Sequence, residues 1–309
     1  MTTRYGTWSV LMPVYERFHA MELASGDVDP VYRVLTQLSS TMTQREMGLL
    51  SFLHVAFYDL GSALRAWGMC GGAANPRAID SLIGLPCGTE RRGMRDKPEL
   101  RKHLTALFEI DATYDGLHRW AERFPSYGEL FGALQSIYGN GRWAAYKSAE
   151  LLSWSLRPYL FDAIRWMPTD MGHAHSSGPR QGLELLWAGP PLPTGHTAQA
   201  VRRLDAVSEE LVLHLHMQGV RASLPTAETT LCDFNSLVRG RYYPGHDIHQ
   251  MGDQLRRAWR CAELTKLGLG LGAVQMGLRA AEAEFGDEVL HSVNKDRKKL
   301  YKMTGQLTP

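Results

Sequence analysis

Helical periodicity is the feature that most restricts what this chain can fold into. Apolar residues recur every three or four positions in one segment after another, and residues 43–67 (TQREMGLLSFLHVAFYDLGSALRAW) are the longest example. This spacing gathers apolar side chains on one face of an α-helix. We find neither an internal repeat nor a series of short alternating segments that would predict strands. The sequence therefore predicts a mainly α protein.

Capping residues predict where several helices begin. Thr43 followed by Glu46 has the spacing of a capping box, and Ser126 is expected to cap a later helix. Asp29 is expected as a cap because Pro30 follows it, at the first helical position. We expect residues 43–67 to form one long helix, and residues 168–199 to be irregular apart from a short helix near 180–188.

The overall charge is nearly balanced, with 34 Lys and Arg against 32 Asp and Glu. This balance does not indicate nucleic-acid binding by itself, although a local basic patch remains compatible with it. Residues 89–103 are the most basic stretch, and they fit either a solvated loop and helix start or a phosphate-facing surface. The four cysteines form no CxxC pair, so we expect neither a zinc ribbon nor disulfides, but a reducing cytoplasm. We also expect no signal peptide and no membrane-spanning helix.

Two glycines stand immediately before a helical run in residues 136–152, SIYGNGRWAAYKSAELL. The spacing of Gly139 and Gly141 fits the hairpin of a helix-hairpin-helix module, in which a tight turn lets DNA phosphate approach backbone N–H groups. The positive end of the following helix then faces the phosphate. Such a contact positions DNA without reading its sequence. A plain corner between two helices is the alternative.

A second stretch, ETTLCDFNSLVRGRYYPGHDI at residues 228–248, is dense in polar and charged side chains. Arg239 and Arg241 flank a glycine, and guanidinium groups bind phosphate oxygens in a bidentate manner. A histidine and a carboxylate, His246 and Asp247, follow within a few residues. The stretch therefore predicts a site for an oxyanion-rich ligand beside acid–base groups.

These two stretches together resemble the phage amino acid:DNA transferases, also called α-glutamyl/putrescinyl thymine pyrophosphorylases. That family's pattern is similar to GPWIAFKAADML and ETxLCKxKSHxxGxYxxGxDI, where this chain has GRWAAYKSAELL and ETTLCDFNSLVRGRYYPGHDI. The chain departs from the pattern at Asp233, where lysine is usual, and at Leu237, where histidine is usual. The resemblance spans roughly residues 15 to 250.

The resemblance implies a helix-hairpin-helix, DNA glycosylase-like helical fold and a specific reaction. A small amine, such as the amino acid glycine or a polyamine, displaces pyrophosphate from pyrophosphorylated 5-hydroxymethyluracil in duplex phage DNA, and the target base is flipped out. The implied setting is the cytoplasm of the bacterial host, with no membrane partner. We expect one domain over residues 1–309, or two lobes divided near residue 165. No bound cofactor is expected, with Mg²⁺ accompanying the diphosphate as an alternative.

Site residues are assigned on the same basis, in three groups. The expected catalytic groups are Asp247, His246, Glu150 and Asp162. The expected ligands of substrate and diphosphate are Arg142, Lys147, Arg239, Arg241, Tyr243 and Asn235. The expected DNA contacts are Gly139, Gly141, Trp143 and Tyr146.

Simpler roles and other functions remain open at this stage. Lys147 and Glu150 have the spacing of a surface ion pair. A DNA glycosylase of the same fold would leave an abasic site, whereas a transferase leaves a heavier nucleoside. A non-enzymatic DNA-binding module would keep its function in the variants Arg241→Ala and Asp247→Ala.

Overall fold

The computed structural model describes residues 7–155, 177–194 and 197–259. Two short 3-10 helices, Pro76–Ala78 and Thr89–Arg95, accompany the α-helices. The α-helices are α1 (Met12–Ser25), α2 (Val31–Leu38), α3 (Gln44–Phe57), α4 (Leu60–Cys70), α5 (Ile79–Leu82), α6 (Lys97–Tyr114), α7 (Leu117–Ala121), α8 (Tyr127–Ser136), α9 (Arg142–Ser155), α10 (Ser177–Leu186), α11 (Ala198–Met217), α12 (Leu224–Val238) and α13 (His246–Trp259).

The mainly α prediction is confirmed. Within the described ranges no β-strand forms, and one isolated bridge joins Trp8 to Trp187. None of the described helices is both long and apolar enough to cross a membrane. The more specific helix-hairpin-helix glycosylase fold stays a prediction.

The chain divides into two compact units. The described part of the first unit is residues 7–29, 177–194 and 197–249, and the described part of the second is residues 30–155 and 250–259. In the first unit, α12 packs against α1, α10 and α11. In the second unit, α3 is apolar almost all round from residue 47 onward and packs against α4, α6, α7 and α9, which explains the burial of residues 47–57. The single-domain expectation and its two-lobe alternative stay predictions.

The capping predictions are confirmed at two of three positions. The Thr43–Glu46 capping box forms, and the Ser126 side chain accepts the Glu129 N–H at 3.3 Å. The cap predicted at Asp29 is wrong, since α2 begins after Pro30, without a side-chain cap.

The long helix predicted over residues 43–67 is also wrong, because the chain breaks between α3 and α4. Tyr58 is left-handed (φ 45°), and the Asp59 side chain accepts the Ser62 N–H at 2.8 Å to start α4. Apolar periodicity continues through the break, so the pattern alone hides a new cap.

Two glycines of α10 allow that helix to approach α12 at backbone distance. A Cβ atom added at Gly182 would lie 2.1 Å from the Leu231 carbonyl oxygen, and one at Gly178 would lie 2.3 Å from the Cys232 Sγ. Because the contact at Gly182 is with backbone, that position requires hydrogen in place of a side chain, whereas a side chain at Gly178 would have to displace the Cys232 thiol. The short helix predicted near residues 180–188 is present as α10 (Ser177–Leu186). It packs tightly against α12, the helix that carries the second motif.

Candidate functional site

The second sequence motif forms the end of α12, a turn and the start of α13, all in the first unit. Asn235 is buried in α12, where its Nδ2 donates to Gln181 Oε1 at 3.3 Å. Arg239 and Arg241 are exposed on the turn that follows. The predicted ligands of this motif therefore lie along one continuous segment, with the two guanidinium groups at its surface.

His246 and Asp247 lie at the beginning of α13, and both are half-buried. The His246 Nδ1–H donates to Asp247 Oδ1 at 2.7 Å. The His246 ring packs against the rings of Tyr242 and Tyr243, at centroid distances of 5.2 and 5.3 Å. Tyr243 is buried, and its hydroxyl is 3.1 Å from His249 Nδ1. The imidazole and carboxylate predicted as acid–base groups thus form a hydrogen-bonded pair with a fixed orientation.

A buried carboxylate, Asp27, holds this segment from inside. Its Oδ2 accepts the Gly245 N–H at 2.5 Å and the Tyr242 hydroxyl at 2.8 Å. Its Oδ1 accepts the Ile248 N–H at 2.8 Å. Because the first N–H groups of a helix have no partner within the helix, Asp27 acts as an anion at the start of α13.

Glu22 continues the network one turn before the end of α1. It is fully buried, and its Oε2 lies 3.1 Å from the Tyr242 hydroxyl. The same hydroxyl therefore faces two carboxyl groups, one from Glu22 and one from Asp27. Asp233, on α12, adds a further carboxyl group to this acidic cluster, which we define as Glu22, Asp27, Asp233 and Asp247.

Burial is the main influence on the acidity of the cluster. It raises the pKa of Asp27 to about 7, and the charge of Asp247 adds to the increase. Burial, reinforced first by Asp27, raises the pKa of Glu22 well above its usual value. The pKa of Asp233 is also raised well above its usual value, by burial and then by Asp247. Several of these carboxyl groups therefore retain protons at pH values where exposed carboxyl groups have lost them.

Sequence reasoning missed Glu22, Asp27 and the role of Tyr242. One signal was present, because Tyr15, Phe18 and Glu22 follow one another at spacings of three and four and so share a helix face. The structure buries this whole face. A carboxylate on an apolar stripe is the kind of exception that points to a buried polar network. Its partners lie more than 200 residues away in sequence, which no local pattern reveals.

The glycine corner, residues 137–141, lies in the second unit between α8 and α9. Gly139 is left-handed (φ 79°), and a Cβ atom there would lie 2.9 Å from Met94 Cε, so the position requires glycine. The buried Arg91 donates to the Gly139 carbonyl at 3.2 Å and to the Ala56 carbonyl at 3.3 Å. The corner is thus fixed from inside by a guanidinium group.

A buried histidine completes this support. The His103 Nδ1–H donates to the Tyr138 carbonyl at 2.5 Å, and its Nε2 is 3.4 Å from Arg91 Nη2. Burial, with the charge of Arg91 adding to it, lowers the pKa of His103 to about 4. His103 is therefore neutral at physiological pH. Arg91 is the only buried arginine of the basic stretch 89–103, and it serves the corner from inside the unit.

The start of α9 carries three of the predicted contact residues. Gly141 accepts the Ala145 N–H at 3.0 Å, and a Cβ atom there would meet nothing within 4 Å. Arg142 is half-buried, with its guanidinium carbon 5.6 Å from the centre of the Phe131 ring. Trp143 packs edge to face against Tyr58 at 4.7 Å. Gly141 has no side chain, so this residue itself cannot cap the helix with a carboxylate.

Three other predicted residues of α9 lie in the core of the second unit. Tyr146, Lys147 and Glu150 are all buried, and Lys147 Nζ is 2.6 Å from Glu150 Oε2. The expected surface ion pair is therefore a buried one, which needs its partner to offset the loss of hydration. The catalytic and ligand roles assigned to these three residues stay predictions. Asp162 lies outside the described residues.

A metal site receives no support from the described side chains. Among them, no group of three or more His, Cys, Asp or Glu residues is arranged to hold a metal ion. Within the acidic cluster, the Asp27 oxygens accept hydrogen bonds from Tyr242 and from two backbone N–H groups. Mg²⁺ carried in by the diphosphate itself stays a prediction.

Comparison with known proteins agrees with the motifs. A comparison with proteins of curated function gives no match. A protein-family model described as amino acid:DNA transferase matches residues 17–243 of the 309, a range that includes both the glycine corner and most of the second motif. Since this match covers well over half of the sequence, the chain belongs to the amino acid:DNA transferase family.

Proposed function

We propose that the protein joins a small amine to the 5-methylene carbon of pyrophosphorylated 5-hydroxymethyluracil in phage DNA and releases pyrophosphate. The observation that carries this proposal is the hydrogen-bonded pair of His246 and Asp247 within an acidic cluster, in a chain of the amino acid:DNA transferase family. Transfer onto DNA agrees with the family's description. The modified base, the leaving group and base flipping belong to the proposal.

The acidic cluster suits the amine side of the reaction. An amine donor is mainly an ammonium cation at neutral pH, and it must lose a proton before its nitrogen can attack. Asp247 is half-buried at the edge of the cluster and is already hydrogen-bonded to His246. In the proposed reaction this pair accepts the proton, the nitrogen forms a bond to the methylene carbon, and the carbon–oxygen bond to diphosphate breaks with its electron pair leaving on oxygen.

The leaving diphosphate requires positive charge, and Arg239 and Arg241 are the proposed source. Both are exposed on the turn between α12 and α13. The N-terminus of α13 is a poor alternative, because Asp27 already accepts its Ile248 N–H. Side-chain guanidinium groups would therefore bind the diphosphate in this motif, with their bidentate geometry fitting its oxygens.

The glycine corner is proposed to hold the DNA. Gly141 contributes no side chain at the start of α9 and leaves open space beside it, and N–H groups at a helix start suit phosphate. This contact would position the duplex while the target base is extruded. Trp143, half-buried against Tyr58, is the proposed aromatic contact near the displaced base.

The test is to incubate the protein with DNA carrying pyrophosphorylated 5-hydroxymethyluracil and a pool of amines that includes glycine, glutamate and putrescine. Nucleoside mass spectrometry then detects the mass gained. We expect an adduct with at least one amine and release of pyrophosphate. An abasic site would support the glycosylase alternative instead, and the absence of any adduct on verified substrate would overturn the proposal.

The variant Arg241→Ala distinguishes a transferase from a DNA-binding module without enzymatic activity. We expect this variant to reduce adduct formation while DNA binding is retained. Arg202→Ala, an exposed arginine of α11 in the same unit, is the matched control. Equal activity in both variants would remove Arg241 from the diphosphate site.

A further inference from the structure

One hydroxyl group faces two carboxyl groups at the centre of the acidic cluster. The Tyr242 hydroxyl is 2.8 Å from Asp27 Oδ2 and 3.1 Å from Glu22 Oε2. A phenol has one proton to donate, and an ionised carboxylate can only accept. Both contacts are therefore hydrogen bonds only if one of the two carboxyl groups carries a proton.

The hydrogen-bond donors around the pair identify which group that is. Asp27 receives the backbone N–H groups of Gly245 and Ile248 as well as the hydroxyl, and three donors match an ionised carboxylate. Glu22 has no donor on Oε1 among the described residues, although its side chain is fully buried. A buried ionised carboxylate with an unpaired oxygen is costly, whereas a neutral acid is less so.

We propose that Glu22 is a carboxylic acid in the native protein, and that Glu22, Tyr242 and Asp27 form one directed chain of hydrogen bonds that positions His246 and Asp247. The Glu22 hydroxyl donates to Tyr242, Tyr242 donates to Asp27, and Asp27 accepts from Gly245 and Ile248, which flank His246 and Asp247. The raised pKa values of Glu22 and Asp27 agree with one retained proton in this pair.

Glu22, Tyr242 and Asp27 are positioning residues in this scheme, and their catalytic consequence rests on the proposed function. The central test uses Glu22→Gln, because an amide has the shape of a protonated carboxyl group and also donates to Tyr242. We expect this variant to keep turnover within about twofold of the wild type. Asp27→Asn replaces one acceptor oxygen by an NH₂ group that faces donors, and we expect turnover to fall about tenfold or more with little change in the KM for the amine.

Infrared spectroscopy tests the proton itself and does not depend on activity. We expect the wild type to show carbonyl stretches of buried carboxylic acids, and the difference spectrum between wild type and Glu22→Gln to show the loss of one such band, beside any band from Asp233. If wild-type protein forms no DNA adduct but this difference band is present, the proposed function fails and the proton arrangement stands. A difference spectrum without a lost carboxylic-acid band overturns the inference.

Tyr242→Phe gives a second route if Asp27→Asn does not fold. We expect it to lower turnover, because the link between Glu22 and Asp27 is lost. Tyr15→Phe is the matched control: Tyr15 is also fully buried in this unit, and its hydroxyl is 2.8 Å from Thr230 Oγ1, away from the chain of carboxyl groups. Equal turnover in Tyr242→Phe and Tyr15→Phe, or equal losses in Glu22→Gln and Asp27→Asn, would contradict the positioning role.

Discussion

The glycine corner and the turn at the start of α13 are both fixed from inside by a buried ionic group, but the groups have opposite charge. In the corner, the Arg91 guanidinium donates to the Gly139 carbonyl at 3.2 Å. At the start of α13, the Asp27 carboxylate accepts the Ile248 N–H at 2.8 Å. A cation satisfies backbone carbonyls, and an anion satisfies backbone N–H groups.

This difference shows how one kind of element, a turn before a helix, serves two purposes. At α13 the protein supplies its own anion, so the helix start is already neutralised and the nearby side chains carry the function. At α9 the internal cation satisfies carbonyls of the corner, and Gly141 contributes no capping carboxylate. The second arrangement favours an external anion, such as DNA phosphate.

The largest effect, a loss of turnover, is expected for Asp247→Asn at the start of α13. Loss of a general base typically lowers turnover by about 10²–10⁴-fold, and asparagine retains the shape of the side chain. Asp253→Asn is the control, since Asp253 is exposed on the same helix and pairs with Arg256 at 2.7 Å. Single-turnover adduct formation measures both variants. If Asp247→Asn transfers amine as fast as Asp253→Asn, the catalytic role belongs elsewhere.

The internal cation of the corner is tested by Arg91→Ala. The change leaves the buried carbonyls of Gly139 and Ala56 without this donor, and each costs about 1–3 kcal/mol in the free energy of unfolding. Urea unfolding measures the loss. The exposed neighbour Arg92 is the control, and Arg92→Ala should change stability by less than about 0.5 kcal/mol. Equal stability of the two variants would show that the corner does not need its internal cation.

Adding an anion to the glycine corner tests whether the difference between the starts of α9 and α13 affects DNA binding. Gly141→Asp places a carboxylate at the start of α9, as Asp27 does at α13, so we expect DNA binding to weaken about tenfold or more. Helix stability should rise by a few tenths of a kcal/mol, because Asp is a better cap than glycine. Gly141→Asn caps equally well without charge and should weaken binding less. Fluorescence anisotropy with duplex DNA measures both, and equal affinities would remove the phosphate contact from Gly141.

The smallest effect is expected for Glu22→Gln, as a change in how the free energy of unfolding depends on pH. Native Glu22 and Asp27 have raised pKa values, so above the usual value of 4.5 for Glu22 the native state binds more protons than the unfolded state. Their contribution to stability is complete at low pH and is lost as pH rises, for Asp27 through about pH 7. Glu22→Gln should reduce this fall by up to about 1.4 kcal/mol per pH unit.

Urea unfolding across this pH range measures the slope, and Tyr15→Phe serves as its control because its hydroxyl does not ionise there. An identical slope in Glu22→Gln and the wild type would contradict a protonated Glu22. Other ionisable groups shape the same titration. Glu22 and Asp27 face Asp233, Tyr242 and Asp247, and Asp233 in turn faces Asp29 and Glu228.

Local patterns predicted the helices but not the internal supports. The Thr43 and Ser126 caps were readable because a cap and its partner lie three residues apart. Asp27 meets Ile248 across 221 positions, and Arg91 meets Gly139 across 48, so neither pairing leaves a local trace. Arg91 also looked like one charge in a basic surface stretch, although it is the arginine of that stretch that the fold buries. Polar groups inside a core are chosen by tertiary partners, which a one-dimensional pattern does not contain.

The close approach of α10 to α12 means that the residue at position 182 influences the position of the second motif. Even one methyl group there would collide with the Leu231 carbonyl, and relief requires α12 to shift. Asp233 and Asn235 lie on that helix just beyond the point of contact, so a shift of α12 would displace both side chains. A substitution at Gly182 would therefore alter the helix that carries the second motif without replacing any residue of the motif itself.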